Sequence, residues 1–122
     1  MANYFNENTI LYLNGEYVKA TEAKMDFYSQ SLHYGYAVFE GIRSYKTVNG
    51  ETKIFKAVQH YDRLKNSAVA VNMPYTWTTE ELIDVTYELL RKNNLQDAYI
   101  RPVVYAPANM SFVKNDTSFI VI

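Results

Sequence analysis

Two Asn-Gly pairs constrain this fold more than any other feature of the sequence, because each marks a tight turn between extended segments. Asn14-Gly15 follows residues 10–13, and Asn49-Gly50 follows a longer extended segment. An Asn-Gly pair between apolar runs favours a type I′ turn, in which both central residues need a positive φ. We therefore predict two antiparallel hairpins in the first half of the chain.

The middle of the sequence predicts two helices. Apolar side chains recur at helical spacing over residues 57–71. Thr78 and Glu81 then form a capping box that starts a second helix. The apolar segments 98–105 and 118–122 predict further strands. Strands, two helices and strands again indicate a single α+β domain of 122 residues with a mainly antiparallel sheet.

Charge and composition exclude several functions. The 12 basic and 13 acidic residues are interspersed and give a net charge of −1, so nucleic acid is not an expected partner. The chain has no cysteine, and His33 and His60 do not have a metal-ligand spacing. We therefore expect no metal and a hydrogen-bonding role for each histidine. No signal peptide or membrane-length apolar run is present, which predicts a cytoplasmic protein without a membrane partner.

The segment 38–45 carries the first candidate binding residues. Side chains alternate along a strand, so Phe39, Gly41 and Arg43 would share one face, opposite Glu40. A glycine in mid-strand often marks the close approach of a ligand or of another backbone. The shared face could be the floor of a site for a small, anionic and partly apolar ligand. Equally, Gly41 could mark a bulge and Arg43 could face solvent.

Two further arginines are candidates. Tyr99 and Arg101 would point the same way along the strand 98–105, and Arg101 is the only charged residue of that strand. A planar guanidinium suits a carboxylate or a phosphate that is held by two bonds. An internal Asp or Glu could be its partner equally well. Arg63, beside Asp62 in the first predicted helix, reads as a surface residue.

Residues 32–45 read Leu-His-Tyr-Gly-Tyr-Ala-Val-Phe-Glu-Gly-Ile-Arg-Ser-Tyr and closely resemble the signature of the branched-chain aminotransferases, which are class IV, fold-type IV enzymes. Three more matches occur in the family's order, at residues 14–16, 62–64 and 93–102. The likeness covers nearly the whole chain. The string Phe-Glu-Gly-Ile-Arg at 39–43 differs from the sister D-amino acid transaminases and aminodeoxychorismate lyases.

The resemblance implies a role for each candidate residue. The cofactor is pyridoxal 5'-phosphate, and Arg63 is expected to contact its phosphate. Tyr99 is expected to bind the substrate α-carboxylate, and Arg101 the side-chain carboxylate of glutamate. Tyr34 is expected to reach the neighbouring subunit's site. The substrate-binding set that the resemblance implies is Tyr34, Phe39, Gly41, Arg43, Tyr99 and Arg101.

By the same resemblance, the chain is the small N-terminal domain of a homodimeric enzyme of branched-chain amino acid biosynthesis. That enzyme moves the amino group of leucine, isoleucine or valine to 2-oxoglutarate, so its substrates are amino acids and 2-oxo acids. None of the eight lysines matches the family's Schiff-base lysine, which belongs to a large cofactor-binding domain expected after Ile122. No catalytic residue is therefore assigned, and the 122 residues are predicted to be inactive alone.

Two alternatives stay open at this point. The chain could be a non-catalytic binding or dimerisation module, whose apolar last strand and twelve tyrosines serve self-association. It could also be the small domain of a sister fold-type IV enzyme, either a D-amino acid transaminase or an aminodeoxychorismate lyase.

Overall fold

The structure, a computed structural model, describes residues 4–122. The elements are β1 Ile10–Leu13, β2 Glu16–Lys19, α1 Gln30–Tyr34, β3 Ala37–Phe39, β4 Ile42–Lys46, β5 Thr52–Ile54, α2 Ala57–Ala70, α3 Thr79–Lys92, β6 Ala98–Ile100, β7 Val103–Tyr105 and β8 Phe119–Val121. Every pairing between these strands is antiparallel, which confirms the predicted α+β domain. The short helix α1 is additional to the two predicted helices, because five residues are too few to show helical periodicity.

The strands form two sheets rather than one. The larger sheet has the order β2-β1-β8-β7-β3, and the smaller has the order β5-β4-β6. The single strand predicted from residue 38 onward divides into β3 and β4, and the one predicted over 98–105 divides into β6 and β7. The two breaks lie side by side. The backbone N–H of Glu40, at the first break, donates to the carbonyl of Pro102, at the second, at 3.1 Å. Pro102 has no N–H for a ladder, and both strands pass from one sheet to the other here.

The two hairpins differ in their turns. Asn14 and Gly15 have φ of 48° and 100°, as the predicted type I′ turn requires. In the second hairpin Gly50 alone has a positive φ, of 83°. The N–H of Thr47 donates to the carbonyl of Glu51 at 2.8 Å and closes a three-residue loop. Such a loop needs only one left-handed residue. The second hairpin therefore forms as predicted, but the prediction of a type I′ turn for it is wrong.

Helices α2 and α3 pack on each other and on the large sheet. Helix α3 begins at the predicted capping box, where Thr78 Oγ1 accepts the N–H of Glu81 at 3.1 Å. The hydroxyl of Tyr61 on α2 bonds Oγ1 of Thr86 on α3 inside the core. The fully buried apolar residues include Ile42, Tyr61, Leu64, Ala68, Leu82, Val104 and Ile120. Within residues 4–122, the helices are too short or too polar to cross a membrane.

The last strand lies inside the large sheet. β8 is placed between β1 and β7, and Ile120 is fully buried. The exposed apolar end strand that the self-association alternative requires is therefore not observed. Phe119 and Val121 on either side of Ile120 are partly buried, so all three residues of β8 contribute to packing within the domain.

Candidate functional site

One face of the β3–β4 segment is exposed, and its alternation is as predicted. Phe39, Gly41 and Arg43 are exposed, whereas Glu40 and Ile42 between them are buried. The alternation continues across the break between the two sheets. The local sequence therefore sets which of these side chains reach the surface.

The neighbouring strand β6 adds two residues to this face. Arg43 pairs directly with Tyr99 in the strand register, which puts both side chains on one side of the small sheet. Cζ of Arg43 lies 5.8 Å from the centroid of the Tyr99 ring. Cζ of Arg101 lies 4.3 Å from the centroid of the Phe39 ring. We refer to Phe39, Gly41, Arg43, Tyr99 and Arg101 as the arginine–aromatic cluster.

Gly41 makes room for Tyr99. A Cβ atom built on Gly41 would lie 2.9 Å from the hydroxyl oxygen of Tyr99, closer than real Cβ contacts come. A close approach at this glycine is therefore present, and the approaching group is the side chain of Tyr99. The φ of Gly41 is not in the left-handed region, so the missing side chain is what matters here.

Arg101 is held by aromatic residues rather than by an acid. It donates through both Nε and Nη2 to the hydroxyl of Tyr99, at 2.9 Å from Nε. Within residues 4–122, neither Arg101 nor Arg43 forms an ion pair. The internal acidic partner considered for Arg101 is therefore not found in the described part of the chain. The cluster offers positive charge and exposed aromatic area to the same ligand.

Arg63 lies apart from the cluster, on the side of the strand that α2 covers. Its Nε donates to Oε1 of Glu40 at 2.6 Å, and its Nη2 donates to Oε2 at 2.7 Å. His60, one turn earlier on α2, places Nδ1 at 2.8 Å from Oε2 of Glu40. Asp62, the sequence neighbour of Arg63, accepts a bond from Thr79 instead. We refer to Glu40, His60 and Arg63 as the Glu40 triad.

Glu40 is the one charged residue among the buried side chains of segment 38–44. Its side chain is 5% exposed, whereas that of Arg63 is 66% exposed. The hydrogen bond from Arg63 is the main cause that holds the pKa of the Glu40 carboxyl below its ordinary value, and burial opposes this shift. Sequence reasoning missed Glu40 and His60 as functional candidates. The one available signal was the i, i+3 spacing of His60 and Arg63, which puts them on one helix face.

Tyr34 is not brought to the cluster. It ends α1, and its hydroxyl donates to the carbonyl of Met110 at 2.7 Å. Its ring centroid lies 4.8 Å from that of Phe112. The structure therefore groups five of the predicted site residues and places Tyr34 and Arg63 elsewhere.

The lysines and histidines show no catalytic arrangement. All eight lysines are exposed, whereas a lysine nucleophile needs a desolvated or otherwise tuned environment. His33 bonds the carbonyl of Phe27 through Nε2 at 2.8 Å, and His60 bonds Glu40. The hydrogen-bonding role predicted for each histidine is confirmed.

Comparison with known proteins agrees with the resemblance seen in the sequence. Residues 37–122 match the family model described as Amino-transferase class IV. The branched-chain-amino-acid aminotransferase of Salmonella typhimurium is 41% identical over 95 residues, which are 78% of this chain and 30% of that protein.

Solved structures give the same result for the fold. The crystal structure of the Escherichia coli branched-chain amino acid aminotransferase matches with a TM-score of 0.89 at 32% identity, over 93% of this chain and 38% of that one. The branched-chain amino acid aminotransferase of Thermobaculum terrenum, solved in its PLP form, matches with a TM-score of 0.81 at 34% identity, over 95% and 39% of the two chains. The chain thus spans about a third of the length of these relatives. Because the family model matches well over half of its residues, the chain belongs to the class IV aminotransferases.

Proposed function

We propose that the chain is the N-terminal, substrate-recognising part of a branched-chain aminotransferase that uses pyridoxal 5'-phosphate. The observation that carries the proposal is the arginine–aromatic cluster, where Arg101 has aromatic neighbours and no ion pair within residues 4–122. The 41% identity to the Salmonella typhimurium branched-chain-amino-acid aminotransferase supports the choice of reaction. The reaction would transfer the amino group of leucine, isoleucine or valine to 2-oxoglutarate.

These substrates require one site to accept two different side chains. An apolar branched chain must fit first, and the carboxylate of glutamate must fit in the same space. Phe39 and Gly41 would line the apolar wall, and Arg101 would bind the second carboxylate through its planar guanidinium. Tyr99 would bind the α-carboxylate, and Arg43 would lie beside the pocket.

Arg63 is the residue of this chain that would hold the cofactor. Its side chain is largely exposed, yet two bonds from its guanidinium to the buried carboxylate of Glu40 fix it in place. Nε and Nη2 bond Glu40, which leaves the N–H groups of Nη1 for the oxygen atoms of a phosphate group. When bound, the cofactor supplies an electron sink for the negative charge that develops at the substrate α-carbon. The residues of this chain bind and orient the substrate and the phosphate.

The covalent attachment of the cofactor would need a residue outside the sites described above. None of the eight exposed lysines has the desolvated setting that this role requires. We propose that a lysine of a large cofactor-binding domain makes the attachment, and that residues 1–122 alone do not transaminate.

A homodimer is the proposed assembly. Phe27, Tyr28, Tyr34 and Phe112 are exposed aromatic residues, and aromatic side chains are enriched at the cores of protein interfaces. Tyr34 would reach the site of the neighbouring subunit from this surface. A cytoplasmic location stays a prediction of the sequence.

Transamination by the protein that the complete gene encodes tests the proposal. We expect 2-oxoglutarate to be converted to glutamate with L-leucine, L-isoleucine or L-valine, and not with D-alanine. Activity with D-amino acids alone would assign the chain to a sister class IV enzyme. A complete gene product without any transamination would favour the non-catalytic binding module.

A further inference from the structure

The Glu40 triad has no part in the substrate recognition proposed above, yet both carboxylate oxygens of Glu40 accept hydrogen bonds within it. Oε1 of Glu40 bonds Arg63, and Oε2 bonds both Arg63 and His60. The backbone N–H of Glu40 bonds the carbonyl of Pro102. The carboxylate is therefore fixed from several sides, at the break between β3 and β4.

We infer that Glu40 is a positioning residue, which fixes the guanidinium of Arg63 so that it can bind an anionic group, here the phosphate of the cofactor. The inference rests on the proposed function, which assigns Arg63 to that phosphate. It adds a residue that touches neither the substrate nor the phosphate and acts only through Arg63.

The exposure of Arg63 explains why a positioning residue is needed. Its side chain is 66% exposed, and holding a long exposed side chain in one rotamer is entropically unfavourable. The two parallel bonds to Glu40 fix the plane of the guanidinium before any ligand binds. Within residues 4–122, Nη1 of Arg63 donates to no other group. Its two N–H groups are therefore available to phosphate oxygen atoms.

Considered only as a negative charge, Glu40 would weaken phosphate binding rather than support it. Its carboxylate is negative and repels a phosphate dianion, so without a positioning role its neutralisation would strengthen phosphate binding. With a positioning role, neutralisation weakens phosphate binding because Arg63 is no longer fixed. The sign of the change therefore separates the two explanations.

His60 extends the arrangement by one residue. Its Nδ1 lies 2.8 Å from Oε2 of Glu40, and it stands one turn before Arg63 on the same helix face. The side-chain nitrogen of asparagine is as many bonds from Cα as Nδ1 of histidine. His60→Asn should therefore keep this hydrogen bond, and His60→Ala should lose it.

The test compares pyridoxal 5'-phosphate with pyridoxal, which lacks the phosphate, as ligands of the cofactor-free form of the complete gene product. We expect Arg63→Gln to raise the dissociation constant of the phosphate form about ten- to hundredfold, as the loss of charge-assisted hydrogen bonds does. Glu40→Gln should raise it about tenfold, because the entropy of ordering Arg63 is then lost on binding. Pyridoxal binding should change by less than about twofold in both variants.

Two control substitutions separate the positioning role of Glu40 from the simple loss of a negative charge. Glu51→Gln removes the same charge from an exposed carboxylate paired with Lys53, and should leave both dissociation constants unchanged. His60→Ala should weaken phosphate binding, and His60→Asn should restore it. The 31P resonance of the bound cofactor should move in Glu40→Gln and His60→Ala, and stay in place in His60→Asn and Glu51→Gln.

Each contrary outcome would overturn either the positioning role of Glu40 or the assignment of Arg63 to the phosphate. Tighter phosphate binding by Glu40→Gln would overturn the inference in favour of charge repulsion. Equal weakening for both ligands would overturn it in favour of a general structural role. Phosphate binding that depends on Arg63 and not on Glu40 would overturn the inference alone. If Arg63→Gln leaves phosphate binding unchanged, the assignment of Arg63 in the proposed function fails, and the inference fails with it.

Discussion

Arg63 and Arg101 are the same side chain in opposite settings. Arg63 makes two short bonds to the buried carboxylate of Glu40. Arg101 forms no ion pair in residues 4–122 and lies against the rings of Phe39 and Tyr99. The first guanidinium is paired with a carboxylate and fixed, whereas the second has no acidic partner in residues 4–122 and lies beside aromatic rings. The comparison teaches that the partner of an arginine, rather than the residue type, decides which anion it suits.

One strand segment supports both settings. Phe39 and Glu40 are neighbours in sequence, and their side chains point to opposite faces. Phe39 belongs to the arginine–aromatic cluster, and Glu40 faces α2. A shift of register by one residue would exchange the two faces and destroy both sites. The antiparallel pairing of β3 with β7 and of β4 with β6 sets this register.

The largest effect is expected from Arg101→Met in the complete gene product. Methionine replaces the aliphatic part of the arginine side chain and removes the guanidinium, so glutamate loses its second carboxylate contact. We expect kcat/KM for glutamate to fall about 100- to 1000-fold, and kcat/KM for leucine to fall less than about tenfold. Steady-state kinetics with both substrates measure this. An equal loss for both would show that Arg101 does not distinguish them, and the contrast with Arg63 would fail.

Gly41→Ala should break the geometry of the cluster while leaving the Glu40 triad intact. The new Cβ would lie 2.9 Å from the hydroxyl oxygen of Tyr99, so the tyrosine must move and its bond with Arg101 is disturbed. We expect kcat/KM to fall about 10- to 100-fold for all substrates, since small misplacements of binding groups are costly.

Gly50→Ala is the matched control for that substitution. Gly50 has open space around it but a φ of 83°, so alanine there should reduce stability by about 1 kcal/mol and leave kcat/KM unchanged. Thermal unfolding and kinetics on both variants separate the two effects. Wild-type kinetics in Gly41→Ala would show that the contact with Tyr99 does not matter for function.

The Glu40 triad should make the free energy of unfolding fall at acidic pH. The folded-state pKa of Glu40 is lowered from 4.5, chiefly by the hydrogen bond from Arg63. Its contribution is therefore full above about pH 4.5 and is lost as the pH falls through the folded-state pKa. We expect Glu40→Gln to lower the free energy of unfolding by about 1–2 kcal/mol at pH 7 and by less at pH 2.

Urea unfolding of the 122-residue chain at the two pH values measures this difference. Glu51→Gln, which removes an exposed carboxylate, should show almost none at either pH. A Glu40→Gln deficit that is the same at both pH values would mean that packing, and not the charge, stabilises the fold at this position.

The smallest effect is expected from Arg43→Gln. Arg43 is exposed, and its Cζ lies 5.8 Å from the centroid of the Tyr99 ring, a distance at which a cation–π contact contributes about 0.5 kcal/mol at an exposed site. We expect kcat/KM for glutamate and leucine to change by less than about threefold, in contrast to Arg101→Met. A loss as large as that of Arg101→Met would make Arg43 a second substrate-binding arginine.

Most of the cluster could be predicted from the sequence, and the Glu40 triad could not. Strand alternation and the resemblance of residues 32–45 to a known signature identify Phe39, Gly41 and Arg43. The partner of Arg63, however, lies 23 positions away in sequence. No local pattern records that distance, and the neighbouring Asp62 suggests a wrong partner.

The sequence by itself determined the local features of this protein. The Asn14-Gly15 turn, the Thr78 cap and the choice of side chains on each strand face all depend on residues within a few positions of one another, where backbone stereochemistry and short-range hydrogen bonds act. Only the tertiary structure decided the rest. It divided the two long strands between two sheets, placed β8 inside the larger one, and brought a buried carboxylate to Arg63. These outcomes depend on contacts between segments far apart in the chain, whose energies arise only when the whole core is packed.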